Sequence, residues 1–397
     1  MTAWPRLAAI ATALGSVGAL VLTAAAAPAA AAITPTRDAL LLAGATGAPS
    51  GTTADFLTLP SSQAGEPHGV ASLPLPGFPR AGATFPILTT GDVSVADDPN
   101  ISGSSGLDLF GPSLRGDSDF DVSVLRLGVP VTASDNCLSF EFRLLSEEFP
   151  EYQNSSYNDA FLAELRSSTW TTSGGVVSAP NNFALDAAGN PVTIDAEGEI
   201  AAAPSRAVAT TYDAASRVAR ATAPLNQDDR NAGRVDLYLS IFDQGDGGYD
   251  SAALVDRLVV DNRSECQVGA RVIDSSDPQT SATKPKLEFP KPPDDVLPED
   301  LVEPEKPEKP AKPRKATVRI KFSSSEAGST FFCRFVKLGK TSPMPYAPCA
   351  PPFKSKVRED RRYGFEVVAV DAAGNPDPAP VSLNFKASEG SEKAEQK

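Results

Sequence analysis

Histidine is almost missing from this chain of 397 residues, in which His68 is the only one. A Ser-His-Asp triad or a Cys-His dyad would have to be built on it. It sits in Gly65-Glu-Pro-His-Gly69, a turn-like context in which we expect a loop residue. A zinc site with several histidines cannot be assembled within one chain. Positive charge is also scarce: 36 Lys+Arg stand against 50 Asp+Glu, a formal charge of −14. Surfaces that grip nucleic acid are basic, so that class of partner is excluded. The 4 cysteines contain no Cys-x-x-Cys pair, which removes the usual redox and metal-thiolate motifs. Tryptophan is reduced to Trp4 and Trp170, and we expect Trp170 to pack on a sheet rather than to form a sugar platform. Beyond residue 32 no run is long and apolar enough to span a bilayer. What remains is carboxylate chemistry, oxygen-ligated cations, or binding without chemistry.

Residues 1–32 read as a secretory signal. Arg6 supplies the positive start, 7–27 is almost wholly apolar or small, and Ala30-Ala31-Ala32 offers a small-residue cleavage site. The mature protein is therefore expected to be secreted and extracellular, or associated with the cell surface, with no membrane span after signal cleavage. Disulfides are permitted in that compartment. Four cysteines allow three pairings. Cys137–Cys266 with Cys333–Cys349 is the simplest, because each pair then stays on one side of a proline-rich break.

That break is 274–315, which holds ten of the 36 prolines interleaved with Lys, Glu and Asp. Its composition favours extended polyproline II and a plain spacer. Upstream, 33–273 is strand-like. Leu138, Phe140, Phe142 and Leu144 alternate with Ser139, Glu141 and Arg143, the period of a half-buried strand. Val235, Leu237, Leu239 and Ile241 repeat the pattern, as do Val122 and Val124. The one modest helical candidate is 156–166. Downstream, 316–387 alternates in the same way through Val318, Ile320, Phe322 and again through Tyr363, Phe365, Val367. The last residues, 388–397, form a charged tail. Many short strands with polar turns predict an all-β chain: a jelly-roll-like β-sandwich followed by a small Ig-like β-sandwich. The string Asp-Ala-Ala-Gly-Asn-Pro occurs in both, at 186–191 and 371–376, and reads as shared turn chemistry rather than a repeat.

Several strings in the first region have a known likeness. Asn136-Cys-Leu-Ser-Phe-Glu-Phe142, Ser146-Glu-Glu-Phe-Pro-Glu-Tyr152, Tyr157-Asn-Asp-Ala-Phe161, and Leu239-Ser-Ile-Phe-Asp-Gln-Gly-Asp246 with Tyr249-Asp-Ser-Ala252 follow one another in order. Together they resemble the choice-of-anchor L domain family of secreted and surface-attached bacterial proteins. The resemblance implies a β-rich extracellular domain without an established catalytic activity. The second unit is similar to bacterial Ig-like or fibronectin type III-like modules, on Phe322-Ser-Ser-Ser-Glu-Ala-Gly-Ser-Thr-Phe-Phe-Cys333, Pro348-Cys349 and Phe365-Glu-Val-Val-Ala-Val-Asp-Ala-Ala-Gly-Asn375. Such modules act as spacers or binding surfaces.

The densest acidic set is Glu147, Glu148, Glu151 and Asp159; a second, Asp243, Asp246 and Asp250, lies in a Gly-rich loop. Two acidic loops at strand ends can meet at one rim of a sandwich, and calcium wants six to eight such oxygens. These seven residues are our candidate metal ligands and calcium the candidate ion. The loop Asp243-Gln-Gly-Asp-Gly-Gly-Tyr-Asp250 is not an EF-hand, since it lacks the spaced acids and the closing Glu. Capping of turns is the competing role for the same carboxylates. Arg115-Gly116-Asp117 matches an adhesion tripeptide, but Asp119 and Asp121 beside it point to an acidic loop. We expect a non-catalytic adhesion or recognition protein with an extracellular glycan or protein ligand. The rivals are a polysaccharide hydrolase with Glu148 or Glu151 as general acid and a purely structural envelope spacer.

Overall fold

The structure, a computed structural model, describes residues 33–61, 65–101, 108–290, 313–339, 346–388 and the backbone of 395–396. The expected signal at 1–32 lies outside the described residues, as do 291–312 of the proline-rich stretch and most of the charged tail.

The chain is all-β. The larger body uses β1 (Ile33–Pro35), β2 (Thr53–Thr58), β3 (His68–Ala71), β4 (Phe85–Thr89), β5 (Asp119–Pro130) and β6 (Cys137–Ser146). It continues with β7 (Ala160–Leu165), β8 (Val192–Thr193), β9 (Ala219–Pro224), β10 (Arg234–Gln244), β11 (Ser251–Asp261) and β12 (Gly269–Val272). One antiparallel sheet runs β1-β3-β4-β11-β6-β9-β12 and the other β8-β7-β10-β5-β2. Between them lies one core, in which Leu138, Phe140, Phe142 and Leu144 of β6 meet Leu125, Leu127, Phe161, Leu237, Leu239 and Ile241. The alternation that marks these strands is the alternation that fills the gap between two facing sheets.

The second face of β6 departs from the half-buried expectation, because Ser139, Glu141 and Arg143 are buried as well. Arg80 and Arg220 pair with Glu141 at 2.7 and 2.5 Å. The Arg143 guanidinium donates to the carbonyls of Pro76 at 2.6 Å and Gly374 at 2.7 Å. Gly374 belongs to the second sandwich, whose turn at 371–376 therefore covers this face. Arg80 reaches Ala372 O at 2.6 Å and Arg217 reaches Asn375 Oδ1 at 2.7 Å in the same turn. A Cβ on Gly374 would lie 2.4 Å from the Cα of Gly77, so the contact needs glycine on both sides.

The two Asp-Ala-Ala-Gly-Asn-Pro turns share one bonding scheme. In each, the Asp amide donates to the Asn carbonyl and the Asp Oδ1 accepts the Asn amide at 2.8 Å. Gly189 and Gly374 both adopt a positive φ, 88° and 93°, the conformation glycine takes at least cost.

The smaller sandwich contains strands Lys315–Ile320, Thr330–Lys337, Phe353–Arg358, Arg362–Val370 and Val381–Lys386. Two further strands come from the stretch expected to be spacer. Thr280–Ala282 pairs with Phe322–Ser324, and Lys286–Glu288 pairs with Lys315–Ile320. Leu287 and Phe289 pack on the small core, which gives this segment the apolar anchors that a pure spacer lacks. Both disulfides, Cys137–Cys266 and Cys333–Cys349, are formed.

Residues 156–166 are not helical. Ala160–Leu165 is β7, buried on both faces, and Arg166 turns away with φ 72°. Among the described residues the α-helices are instead Ala39–Ala45, capped by Asp38, and Gln227–Ala232, which Asn226 and Asp229 close with a capping box. Among the described residues no helix is long and apolar enough to cross a membrane.

Trp170 is fully buried. Its ring stacks on Phe242 at 4.1 Å, Nε1 donates to Ser240 Oγ at 3.0 Å, and Arg115 lies over its other side at 4.8 Å. Replacement by phenylalanine removes the hydrogen bond and leaves a void, so Trp170→Phe should cost about 2 kcal/mol in urea unfolding. Arg115 is thereby held against the sandwich and Asp117 accepts the Gly174 amide at 3.0 Å, so the Arg115-Gly116-Asp117 tripeptide is tied to the 168–174 segment.

Candidate functional site

Four strand ends meet at one rim of the larger sandwich: the end of β6, the start of β7, the end of β10 and the start of β11. On β10 the inward positions are Leu237, Leu239 and Ile241, and the two-residue period carries Asp243 inward with them. By the same rule Asp159 follows Phe161 and Ala163, and Ser251 follows Ala253 and Val255. Carboxylates thus occupy the place where the apolar core would otherwise run out to solvent.

Their hydrogen bonds join the loops. Asp159 Oδ1 accepts the Gln244 amide at 3.0 Å and its Oδ2 accepts Ser251 Oγ at 2.7 Å. Glu148 Oε2 accepts the Asp159 amide at 3.2 Å, and the Glu147 amide donates to Asp250 O at 3.1 Å. Glu148, Asp159 and Asp243 are 2%, 0% and 1% exposed. Among the described residues no ion pair reaches any of the three. Asp243 has Thr90 and Asp159 as its side-chain hydrogen-bond neighbours.

Charge without counter-charge shows in the acidities. Burial, then Asp159, raises Glu148 above the usual carboxylate range. Burial raises Asp159 too, with the bonds from Ser251 and Gln244 opposing it. Burial, then Asp159 and Asp250, pushes Asp243 well up. Such groups either hold protons or share a cation.

Of the seven candidate ligands, Glu147, Glu148, Asp159, Asp243 and Asp250 are buried at this rim, whereas Glu151 and Asp246 are exposed. The buried ones run as a chain rather than closing on one point. The described residues hold one group of three acids whose oxygens all come within 4.8 Å: Asp274, Glu326 and Asp371. There Asp371 is already committed to Asn375, through its Oδ1 at 2.8 Å and Oδ2 at 2.9 Å. Asp119 and Asp121 order their own loop, Asp119 accepting the Leu114 and Arg115 amides and Asp121 those of Leu109 and Gly111. His68 is no loop residue: it opens β3, is fully buried, and stacks on Phe56 at 5.0 Å.

Three tyrosines that the acidic pattern does not single out join this rim. Tyr152 meets Tyr157 at 5.2 Å and Tyr249 at 5.1 Å, both edge to face. All three are half-buried and sit in the acidic loops, beside the exposed Glu151 and Asp246. A Cβ on Gly245 would come within 2.5 Å of the Tyr157 ring, so glycine seats that ring closely. The available signal was repetition, since Glu151-Tyr152, Tyr157-Asn-Asp159 and Tyr249-Asp250 each set a tyrosine by an acid.

No family model matches the chain, and no curated protein matches it. Among solved structures it is similar to a β-1,2-glucanase from Parabacteroides distasonis, with 11% identity over 85% of this chain and 37% of that one, at a TM-score of 0.21. A β-glucuronidase from an uncultured Clostridium sp. gives 6% identity over 73% and 37% of the two chains, TM-score 0.15. The Ruminococcus gnavus β-glucuronidase gives 8% over 71% and 39%, again 0.15. This chain spans less than two-fifths of each, and likeness at these scores carries no argument about activity.

Proposed function

We propose that this is an exported, non-catalytic recognition protein that binds an extracellular glycan through the tyrosine rim. The observation that supports it is the layering of the site. Tyr152, Tyr157 and Tyr249 lie partly open at the surface, while Glu148, Asp159 and Asp243 of the same loops and strand ends are buried. A glycosidase needs two carboxyl groups flanking the scissile bond. Glu148, Asp159 and Asp243 are too deeply buried for a sugar to reach, and Glu151 stands on the surface without a buried partner. Half-buried aromatics offer flat apolar faces with a polar edge, the usual anchors of a binding surface. Glu151 and Asp246 supply acceptors for sugar hydroxyls beside them. This placing agrees with the extracellular role implied by the likeness to choice-of-anchor L domains.

The purified protein should retain glycans or cell-surface preparations without cleaving them. Tyr152→Ala should weaken that binding ~10-fold or more, as loss of a central aromatic anchor does. Turnover of any glycan in a substrate panel, abolished by Glu148→Gln, would replace recognition by hydrolysis. Undiminished binding by the Tyr152→Ala protein would move the surface elsewhere, and retention of proteinaceous but not glycan ligands would change the partner class.

A further inference from the structure

We propose that the outer face of the three-stranded sheet in the smaller sandwich is a second binding surface, and that it takes an acidic polysaccharide. The sheet is built from Lys286–Glu288, Lys315–Ile320 and Phe353–Arg358. Leu287, Ala316, Val318, Ile320, Phe353 and Val357 pack into the core, so strand parity turns the alternate residues outward. Those are Lys286 and Glu288, then Lys315, Thr317 and Arg319, then Lys354, Lys356 and Arg358. Six of these eight are basic, and all six are exposed. The stretch 313–388 carries 13 Lys+Arg against 6 Asp+Glu, a net of +7 in a chain of −14. Positive charge is thus gathered on one module of an acidic protein.

The register makes that gathering costly. Lys315 stands directly across from Arg358, and Arg319 across from Lys354; like charges so placed weaken a sheet. Glu288 relieves Arg319 by pairing with it at 3.0 Å, and Lys356 donates to Thr317 Oγ1 at 2.8 Å. Among the described residues no ion pair reaches Lys315, Lys354, Lys356 or Arg358. A sheet that keeps such a cluster is shaped for an anion. At one end of the face Lys315, Thr317, Lys356 and Arg358 line a groove of about 650 Å³ beside Glu288 and the half-buried Phe289, a size common among ligand sites. Cations about 7 Å apart along a strand and about 5 Å apart between strands suit a chain with a negative group on each unit. Phe289 offers an apolar wall to a sugar ring, and Thr317 and Glu288 offer partners to its hydroxyls. No outward position on the sheet is aromatic, whereas sheets that bind single-stranded nucleic acid stack the bases on aromatics. Among the described residues none of the exposed large apolar side chains belongs to this sheet, so it has nothing to insert into a membrane.

The test uses the disulfide-bonded mature protein, which is acidic overall, so capture of a polyanion reports a local patch and not net charge. The probe is polygalacturonate, with dextran as the neutral control, read by calorimetry at low and high sodium chloride. We expect saturable binding of polygalacturonate, none of dextran, and weakening as salt screens the contact. The Lys354→Glu/Lys356→Glu/Arg358→Glu protein should bind ~10-fold more weakly or worse. Two of its changes set opposite charges across from Arg319 and Lys315, so it should melt no lower than wild type, which separates a lost surface from a lost fold. Lys337→Glu, exposed on the other sheet of the same sandwich, should leave binding intact. No binding of polygalacturonate, equal binding of dextran, undiminished binding by the triple variant or an equal loss in Lys337→Glu would each overturn the proposal. Three further results would overturn it by naming another occupant. Tighter capture of a single-stranded oligonucleotide would make the partner nucleic acid. Binding seen only after the acids of 294–305 are replaced by their amides would make that stretch the occupant. A dimer dispersed by the triple variant would make it a second copy. None of these outcomes bears on the tyrosine rim, which lies on the larger sandwich.

Discussion

Removing the Cys137–Cys266 bridge should destabilise the larger sandwich by about 5 kcal/mol, the loop-closure entropy that a crosslink over such a separation takes from the unfolded chain. The two cysteines lie 129 residues apart, so the bridge closes nearly the whole of the second half of the domain. Cys137 begins β6, the strand flanked by β9 and β11 in the larger sheet, where it pairs with Pro224 on one side and Asp261 on the other. Cys266 follows β11 in the loop to β12. The bond therefore ties a central strand to the edge of the sheet, and its loss lets 137–266 expand freely on unfolding. The Cys137→Ala/Cys266→Ala pair avoids placing a hydroxyl in the fully buried Cys137 site. It should show a lower urea midpoint and a larger m-value, since more surface is exposed when the unfolded chain is no longer looped. The Cys333–Cys349 bridge spans only 16 residues, and the same reasoning gives about 3 kcal/mol for it. An equal loss from the two, or no rise in m, would mean that strain in the folded protein rather than chain entropy sets their effects.

The strands were legible wherever one face alone decides burial. Leu138 to Leu144 and Val235 to Ile241 alternate because every second side chain enters the gap between sheets. The pattern says nothing about what covers the other face. Glu141 and Arg143 look like solvent-facing residues, yet Arg80 from a distant loop, Arg220 from β9 and a turn of the second sandwich bury both. Long-range contacts of that kind leave no local signal. The same cause hides β7: Ala160–Leu165 is buried on both faces and apolar but for Glu164, so its period resembles neither strand nor helix. The small-module strands at 280–282 and 286–288 were masked by the prolines around them, although Leu287 and Phe289 supply the apolar pair. At the rim, the acids were visible as charge density in two loops. Their sorting into buried Glu148, Asp159 and Asp243 and exposed Glu151 and Asp246 follows from strand parity and loop path, which composition does not encode.

His68 shows how far a residue in a turn-like string can depart from its local context, and it should dominate the acid sensitivity of the fold. Its imidazole is fully buried between the sheets and stacks on Phe56 with the planes 10° apart. Burial pushes its pKa down from 6.5 to about 3, opposed by a hydrogen bond to the Pro67 backbone and helped by the nearby Arg37 charge. The folded protein therefore refuses a proton that the unfolded chain accepts. Above pH 6.5 both states carry neutral histidine and the group is silent. As the pH falls from 6.5 towards 3, the unfolded state gains a proton and stability drops by up to ~1.4 kcal/mol per pH unit. Over the whole window the loss is about 5 kcal/mol, and below pH 3 it levels off. The buried carboxyls act in the opposite sense, since their raised values favour the folded state as the pH falls. They titrate alike in wild type and in a His68 variant, so they cancel in the difference. His68→Leu keeps the volume, retains contact with Phe56 and removes the proton site. Urea midpoints for the two proteins, measured from pH 8 to pH 3.5 in chelator, should run parallel above pH 6.5. Below it they should diverge steadily, with the leucine protein the more stable. Parallel curves throughout would mean that water or a rotated ring solvates the imidazole and that His68 is not sealed in the sandwich.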